Sequence, residues 1–110
     1  MSYNGRMYTV NQTQIFRQWL CKMRDRNAQV RIAARIRNAE AGNLGDSQPV
    51  GEGVSEMRIH LGPGYRVYYT ITGNTIILLL IGGSKSTQQA DIRRAIAMAR
   101  QFKEQTHDCK

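Results

Sequence analysis

The sequence predicts a single α+β domain in which two N-terminal helices and a C-terminal helix pack on an antiparallel β-sheet. Apolar residues recur at helical spacing near both ends of the chain, and they alternate with polar residues in its middle. Glycine-rich turns divide the alternating part, as is typical of consecutive hairpin strands. With 110 residues the chain has room for one domain with a modest core. We expect the helices to cover one face of the sheet.

The N-terminal part is expected to be a disordered segment, a short strand and a helix. Residues 1–6 are polar and contain a glycine, so they are expected to be disordered. Residues 7–10 can form a short strand. Asn11 then resembles a helix N-cap, with Gln14 at the third helical position, and an apolar stripe follows at helical spacing.

A second helix is predicted over residues 25–41, where apolar residues recur among four arginines and Gly42 ends the pattern. Residues 42–53 contain four glycines and a proline without periodicity, which predicts a loop. The domain is expected to span residues 7–104, and residues 105–110 are expected to be a flexible tail.

Three strands and a helix complete the predicted fold. The strands are expected over residues 54–61, 65–72 and 75–81, separated by the turns Gly-Pro-Gly and Gly-Asn. The helix is expected to begin at about Ser86, which forms a capping box with Gln89.

The first of these turns predicts a cluster of polar side chains. If residues 62–64 form the whole loop, His60 pairs with Arg66 and Arg58 with Tyr68. Directly opposed residues share one face of an antiparallel pair, so these four side chains are expected to form one polar patch. A slip by one residue would bury both arginines, so the apolar pattern favours this arrangement of faces.

Such a patch suits cleavage of an RNA backbone. Arginine forks match phosphate oxygens, histidine transfers protons near neutral pH, and tyrosine can stack on a base. Attack of a ribose 2′-hydroxyl on the adjacent phosphate needs a proton acceptor, a proton donor and cations around the phosphorane. The alternative is an ordinary charged, solvated sheet face. Glu56 shares the face with Arg58, and an ion pair is expected between them.

Lys85 follows a buried strand and precedes a helix, where an anion is favoured. The string GGSKST around it is superficially similar to a nucleotide-binding P-loop, but glycine does not precede the lysine and no parallel crossover follows. A plain turn with a surface lysine is the alternative.

The charge of the chain favours a polyanionic partner. Sixteen Lys and Arg against eight Asp and Glu give a formal net charge of +8, and the sequence pI is about 10.1.

Cys21 and Cys109 are expected to be free thiols in a reducing compartment. No apolar run is long enough to span a bilayer, and a cytoplasmic protein without membrane contacts is expected. His60 and His107 lack ligand spacing, so no metal site is expected.

Two segments carry a family resemblance: RIHLGPGYRVYY over residues 58–69 and GGSKSTQ over residues 82–88. They resemble RelE/HigB-type toxins of addiction modules, and the resemblance extends over about residues 7–103. It implies a RelE-like fold and a type II toxin that inhibits translation by cutting mRNA in the ribosomal A site, without a metal or other cofactor. It also implies a cognate antitoxin, often a small helix-turn-helix protein, that neutralises the toxin in a hetero-oligomer.

The resemblance implies roles for individual residues. Arg66 corresponds to the phosphate-binding arginine of the family, and Lys85 and Arg58 to its other basic positions. No tyrosine follows Lys85, where family members place an acid–base tyrosine, so we assign proton transfer to His60, with Lys85 as the next candidate. Further candidate RNA contacts are Tyr65, Tyr68, Ser84, Arg35 and Arg37.

Two other functions fit the same sequence. A ParE-like toxin shares the fold but inhibits DNA gyrase and cuts no RNA. A basic, non-catalytic module that binds RNA or the ribosome would block translation by occupancy.

Overall fold

The structure is a computed structural model that describes the backbone of residues 2–3 and 7–108 and the side chains of residues 7–103. The helices are α1 (Gln14–Cys21), α2 (Arg26–Glu40) and α3 (Gln88–Asp108). The strands are β1 (Ser2–Tyr3), β2 (Thr9–Gln12), β3 (Asn43–Gly45), β4 (Ser47–Gly51), β5 (Val54–Ile59), β6 (Tyr65–Thr72) and β7 (Ile76–Ser84). A 3₁₀ turn, Lys85–Thr87, links β7 to α3.

The α+β class predicted from the sequence is confirmed, but the sheet is mixed. Its five strands lie in the order β2-β7-β6-β5-β4, and neighbours are antiparallel except β2, which runs parallel to β7. The expectation of a purely antiparallel sheet is therefore wrong at this one edge. Strands β1 and β3 form a separate antiparallel pair.

The start of α1 differs from the prediction. Asn11 is paired with Leu78 in the sheet, so it is not the N-cap. Thr13 takes that place: its hydroxyl accepts a hydrogen bond from the Phe16 N–H at 3.0 Å and donates one to the Leu80 carbonyl at 2.6 Å. Thr13 thus joins the start of the helix to the central part of β7.

Helix α2 begins and ends within one residue of the predicted bounds. The Asp25 side chain accepts a hydrogen bond from the Ala28 N–H at 3.1 Å, and Gly42 follows the helix with φ +95°.

The segment 42–53, predicted to be a loop, contains β3 and β4. Strand β4 pairs with β5 and forms an edge of the sheet. Pro49 lies in this strand, where an edge position tolerates the missing N–H. The glycines and the proline thus belong to an edge strand here and not to a loop.

Helices cover both faces of the sheet, which corrects the expectation of one covered face. Helices α1 and α2 close one core, whose buried residues are Phe16, Ile32, Ile36, Ala39, Met57, Ile59, Val67, Tyr69, Ile77 and Leu79. Helix α3 closes the other, whose buried residues are Val54, Tyr68, Leu80, Ile81, Ala95 and Ala99. Large side chains point to both faces of β6, so each face needs a cover.

Helix α3 continues to Asp108, through residues for which a flexible tail is expected. The other residues of the predicted tail, 109–110, lie outside the described residues, as does most of the segment 1–6. Cys21 is a free, exposed cysteine, and Cys109 is outside the described part. No helix in the described part is long and apolar enough to cross a membrane.

Candidate active site at the hairpin turn

The β5–β6 turn is longer than the sequence suggests. Arg58 pairs with Arg66 and Ile59 with Tyr65, so the ladder is shifted by two residues from the predicted register. The shift arises because the Leu61 N–H donates to the Ile59 carbonyl and the Gly64 N–H to the Leu61 carbonyl, inside the loop. Because side chains alternate with a period of two, this shift leaves each side chain on the same face of the sheet. Arg58, Arg66 and Tyr68 therefore share one face, as predicted.

A pocket of about 430 Å³ lies against this turn. Its lining residues are Arg58, His60, Leu61, Gly62, Pro63, Gly64, Arg66 and Lys85. All four residues predicted to act in catalysis therefore line one pocket. We call it the cationic pocket.

A buried carboxylate is hydrogen-bonded to Arg58 and lies within ion-pair distance of Arg66. Glu56 is fully buried, its Oε2 lies 3.1 Å from the Nε of Arg58, and its Oε1 lies 4.0 Å from the Nε of Arg66. The expected ion pair with Arg58 is confirmed. Gln88 of α3 donates to Glu56 from its Nε2 at 3.0 Å, and Gln48 of β4 donates at 3.4 Å. The carboxylate is thus fixed from three strands and a helix.

His60 lies on the rim of the cationic pocket and bonds to a residue of the β3–β4 connection. Its Nε2 is 2.5 Å from Oδ2 of Asp46, and its side chain is 72% exposed. This hydrogen bond lowers the pKa of Asp46. A carboxylate on one ring nitrogen fixes the ring and leaves the other nitrogen to exchange a proton.

Lys85 opens the 3₁₀ turn after β7. An ideal Cβ at Gly64 would lie 3.5 Å from the Cβ of Lys85, so the hairpin turn passes close to the lysine stem. Ser84, predicted to contact RNA, is hydrogen-bonded through its Oγ to Ser86 at 2.9 Å and does not line the pocket.

The chain matches a known family over residues 18–104, described as phage derived protein Gp49-like (DUF891). The chain belongs to the Gp49-like family. The match includes α2, strands β3 to β7 and the residues of the cationic pocket. The resemblance to RelE-type proteins is confirmed by this family and by the fold that it adopts.

One curated relative and one solved structure extend this result. An uncharacterised protein from Haemophilus influenzae is 40% identical to this Gp49-like chain over 93 residues, which cover 84% of the chain and 94% of the relative. A chain in the crystal structure of the RelBE2 toxin–antitoxin complex from Mycobacterium tuberculosis aligns with a TM-score of 0.59. It has 21% identity and covers 73% of this chain and all of its own. The likeness to RelBE2 shows the fold.

Neither tyrosine predicted to contact RNA lies in the pocket of this Gp49-like protein. Tyr68 is fully buried under α3, and burial, together with the charge of Glu56, raises its pKa to about 12. Tyr65 points to the opposite face, where its ring packs edge-on against Trp19 at 6.3 Å between centroids. A base cannot stack on Tyr68 without displacing α3, so that prediction is wrong.

The two arginines of α2 predicted to contact RNA, Arg35 and Arg37, are also outside the cationic pocket. Arg35 is half-buried, and its guanidinium donates to the Arg58 carbonyl at 2.5 Å and to the Leu44 carbonyl at 3.4 Å. Burial lowers its pKa. Its contacts join α2 to the sheet, so the structure gives it a structural position. Arg37 is exposed near the end of α2.

Three polar residues around the site escaped the sequence reasoning. Asp46 and Gln48 fall in the segment predicted to be a loop, and Gln88 falls in an ordinary helix start. Only the tertiary fold brings them to His60 and Glu56, so no local sequence signal identifies them. Among the described side chains, no group of three His, Cys, Asp or Glu residues could hold a metal ion.

Proposed function

We propose that this Gp49-like protein is the toxin of a toxin–antitoxin system and cleaves mRNA at the ribosome, with the cationic pocket as its active site. The observation that carries the proposal is the meeting of Arg58, Arg66 and Lys85 around one pocket. Their only acidic neighbour within 4 Å among the described residues, Glu56, is buried behind the arginines. A pocket of this charge fits a phosphate group.

The reaction we propose is transfer of the phosphate to the neighbouring ribose. The 2′-oxygen bonds to phosphorus, the bond from phosphorus to the 5′-oxygen breaks, and the products are a 2′,3′-cyclic phosphate and a 5′-hydroxyl. His60 accepts the proton of the 2′-hydroxyl, and Asp46 orients its ring. The leaving 5′-oxygen takes a proton from Lys85 or from water. The arginines stabilise the charge that develops on the phosphorane oxygens.

The proposed partners are mRNA, the ribosome and a neutralising antitoxin, for which a small helix-turn-helix protein is the candidate. The net charge of +8 supports binding to RNA. The structural neighbour is a toxin–antitoxin complex, which supports an antitoxin partner. With these partners the protein acts in the cytoplasm.

Reconstituted translation followed by primer extension tests the proposal. Wild-type protein is expected to create new mRNA 5′ ends, and Arg66→Ala and Lys85→Ala are each expected to slow cleavage by about a hundredfold, because each removes charge stabilisation from the transition state. Arg94→Ala is the matched control, since Arg94 is exposed on α3 and does not line the pocket. It is expected to cleave at the wild-type rate.

Three results would contradict the proposal. Inhibited translation without new 5′ ends indicates binding by occupancy, and inhibited supercoiling by gyrase indicates a ParE-like toxin. Undiminished cleavage by Arg66→Ala removes the cationic pocket from the mechanism.

A further inference from the structure

A second pocket, of about 400 Å³, lies between α2 and the hairpin turn. Its lining residues are Asn27, Val30, Arg31, Ala34 and Leu61, and we call it the α2 groove. Leu61 lines the cationic pocket as well. The two pockets are therefore neighbours, with this one side chain as their common wall.

The α2 groove combines an apolar floor with a polar rim. Val30 is 64% exposed, an unusual position for a valine on a helix whose other large apolar residues face the core. Residues 27, 30, 31 and 34 have the spacing that places side chains on one helix face. Val30 and Leu61 supply apolar surface, while Asn27 supplies an amide that can both donate and accept hydrogen bonds.

The charges around the groove favour a polyanion. Arg31 is exposed at its rim, and no carboxylate lines either pocket. Asp25, at the start of α2, accepts a hydrogen bond from the Ala28 N–H through its Oδ1. Its Oδ2 lies 3.6 Å from the position of a Cβ at Gly62 of the cationic pocket, so one carboxylate lies beside the junction of the two pockets. A ligand that crosses from the cationic pocket into the groove thus meets cations at both ends and apolar surface in between.

We propose that the α2 groove is a base-binding subsite for single-stranded RNA: it holds the base of a nucleotide adjacent to the phosphate in the cationic pocket. The covalent chain carries the ligand past Leu61, because ribose and base adjoin every phosphate. The base lies on Val30 and Leu61, and Asn27 contacts its edge. The identity of the ligand rests on the proposed function.

Binding of a short 2′-O-methyl RNA, followed by fluorescence anisotropy, tests the subsite without cleavage, because that RNA lacks the attacking hydroxyl. Val30→Ser is expected to weaken binding by about fivefold, since it replaces the apolar surface on which the base lies with a polar side chain. Ile15→Ser is the matched control: Ile15 is a branched apolar residue, 39% exposed on α1, and it lines neither pocket. It is expected to bind as the wild type does.

An abasic scan identifies the nucleotide. Removing the base at one position adjacent to the bound phosphate is expected to weaken binding to wild type by a similar factor. The same removal is expected to have little further effect on Val30→Ser, because the base and the side chain contribute one contact. Additive losses at every position, or unchanged affinity in Val30→Ser, overturn the subsite. If the α2 groove binds a protein instead of RNA, the affinity of Val30→Ser for the short RNA is expected to equal that of the wild type.

The failures of the two proposals can be told apart. Wild-type cleavage of mRNA without coupling between Val30 and any base overturns the subsite alone. Coupling without cleavage supports the subsite and overturns the nuclease function. Absence of wild-type binding to the short RNA also counts against the subsite.

Discussion

At the scale of single residues, Glu56 determines how the two pocket arginines are presented. Its carboxylate faces the Nε edges of Arg58 and Arg66, and Gln88 and Gln48 hold it from the side. The outer edges of both guanidiniums are then left to line the cationic pocket. A single buried negative charge thus allows two positive charges to lie as cross-strand neighbours.

Replacement of Glu56 by Gln should destabilise the protein. We expect Glu56→Gln to lower the free energy of unfolding by about 3 kcal/mol, because two largely buried guanidiniums lose their counter-charge. Urea denaturation measures the change. Glu52→Gln is the control: Glu52 is an exposed partner of Arg100, and exposed pairs contribute at most about 1 kcal/mol. Equal losses in the two variants would show that Glu56 does not hold the arginines.

Tyr68 gives a second prediction at this scale. Its hydroxyl is buried and has no hydrogen-bond partner among the described residues, whereas the hydroxyl of its neighbour Tyr69 bonds to Ser47 and Ser55. We therefore expect Tyr68→Phe to leave the free energy of unfolding unchanged or raise it by about 1 kcal/mol, and Tyr69→Phe to lower it by a similar amount. Unchanged mRNA cleavage by Tyr68→Phe is also expected, and a large loss would restore Tyr68 to the site.

The same residue gives an alkaline pH dependence. Burial raises the pKa of Tyr68 from 10.0 to about 12 in the folded protein, so the neutral phenol is favoured there. The resulting stabilisation is complete below pH 10 and is lost as the pH rises towards 12. Tyr68→Phe is expected to flatten that part of the curve of unfolding free energy against pH. Identical slopes for the two proteins would contradict the burial of this side chain.

At the scale of elements, β7 depends on two glycines. A Cβ at Gly82 would collide with the ring of Trp19, and a Cβ at Gly83 with the carboxylate of Asp91. Neither glycine needs a positive φ, so the requirement is space on the two faces of the strand. The glycines let α1 and the start of α3 approach the strand closely.

Gly82→Ala should therefore destabilise the protein by overpacking. We expect a loss of about 2 kcal/mol in the free energy of unfolding, measured by urea denaturation. Combination with Trp19→Leu tests the cause: the double variant is expected to lose less than the sum of the two single losses, because the smaller side chain relieves the collision. Strict additivity would place the cost elsewhere.

For the β5–β6 hairpin, the sequence predicts which side chains share a face but not which residues pair. Alternation assigns Arg58 and Arg66 to one face correctly, because the alternation follows from backbone geometry alone. The register is wrong by two because it depends on hydrogen bonds within the turn, at Leu61 and Gly64. Strand β4 is missed because its pairing with β5, rather than any local preference, makes it a strand.

In the candidate site, too, local pattern predicts some features and the tertiary fold determines the others. Its basic residues follow from the hairpin and from Lys85, and the structure places them together. Tyr68 is misassigned because strand alternation places it on the same face as Arg66, which the sequence predicts to be polar and solvated, whereas its ring belongs to the core under α3. The contact between Asp46 and His60 depends on the path of the β3–β4 connection, and no local sequence pattern predicts that path.

At the scale of the whole molecule, the net charge of +8 should govern affinity for RNA. We expect the logarithm of the affinity for single-stranded RNA to fall by about 0.7 per phosphate neutralised for each tenfold rise in salt. The cleavage rate at saturating RNA is expected to change little, because the pocket charges act on bound RNA. Titrations at several salt concentrations measure the affinity, and salt-independent binding would contradict a phosphate-directed mode.

Because β2 pairs with β7, the sheet cannot be completed until late in the synthesis of the chain. Residues 9–12 are synthesised early, yet their partners, residues 76–79, leave the ribosome only after most of the chain. Lys85 and Gln88, which complete the cationic pocket and fix Glu56, follow later still. Domains fold as units when their chain is available, so the growing polypeptide lacks an assembled pocket until its last quarter emerges.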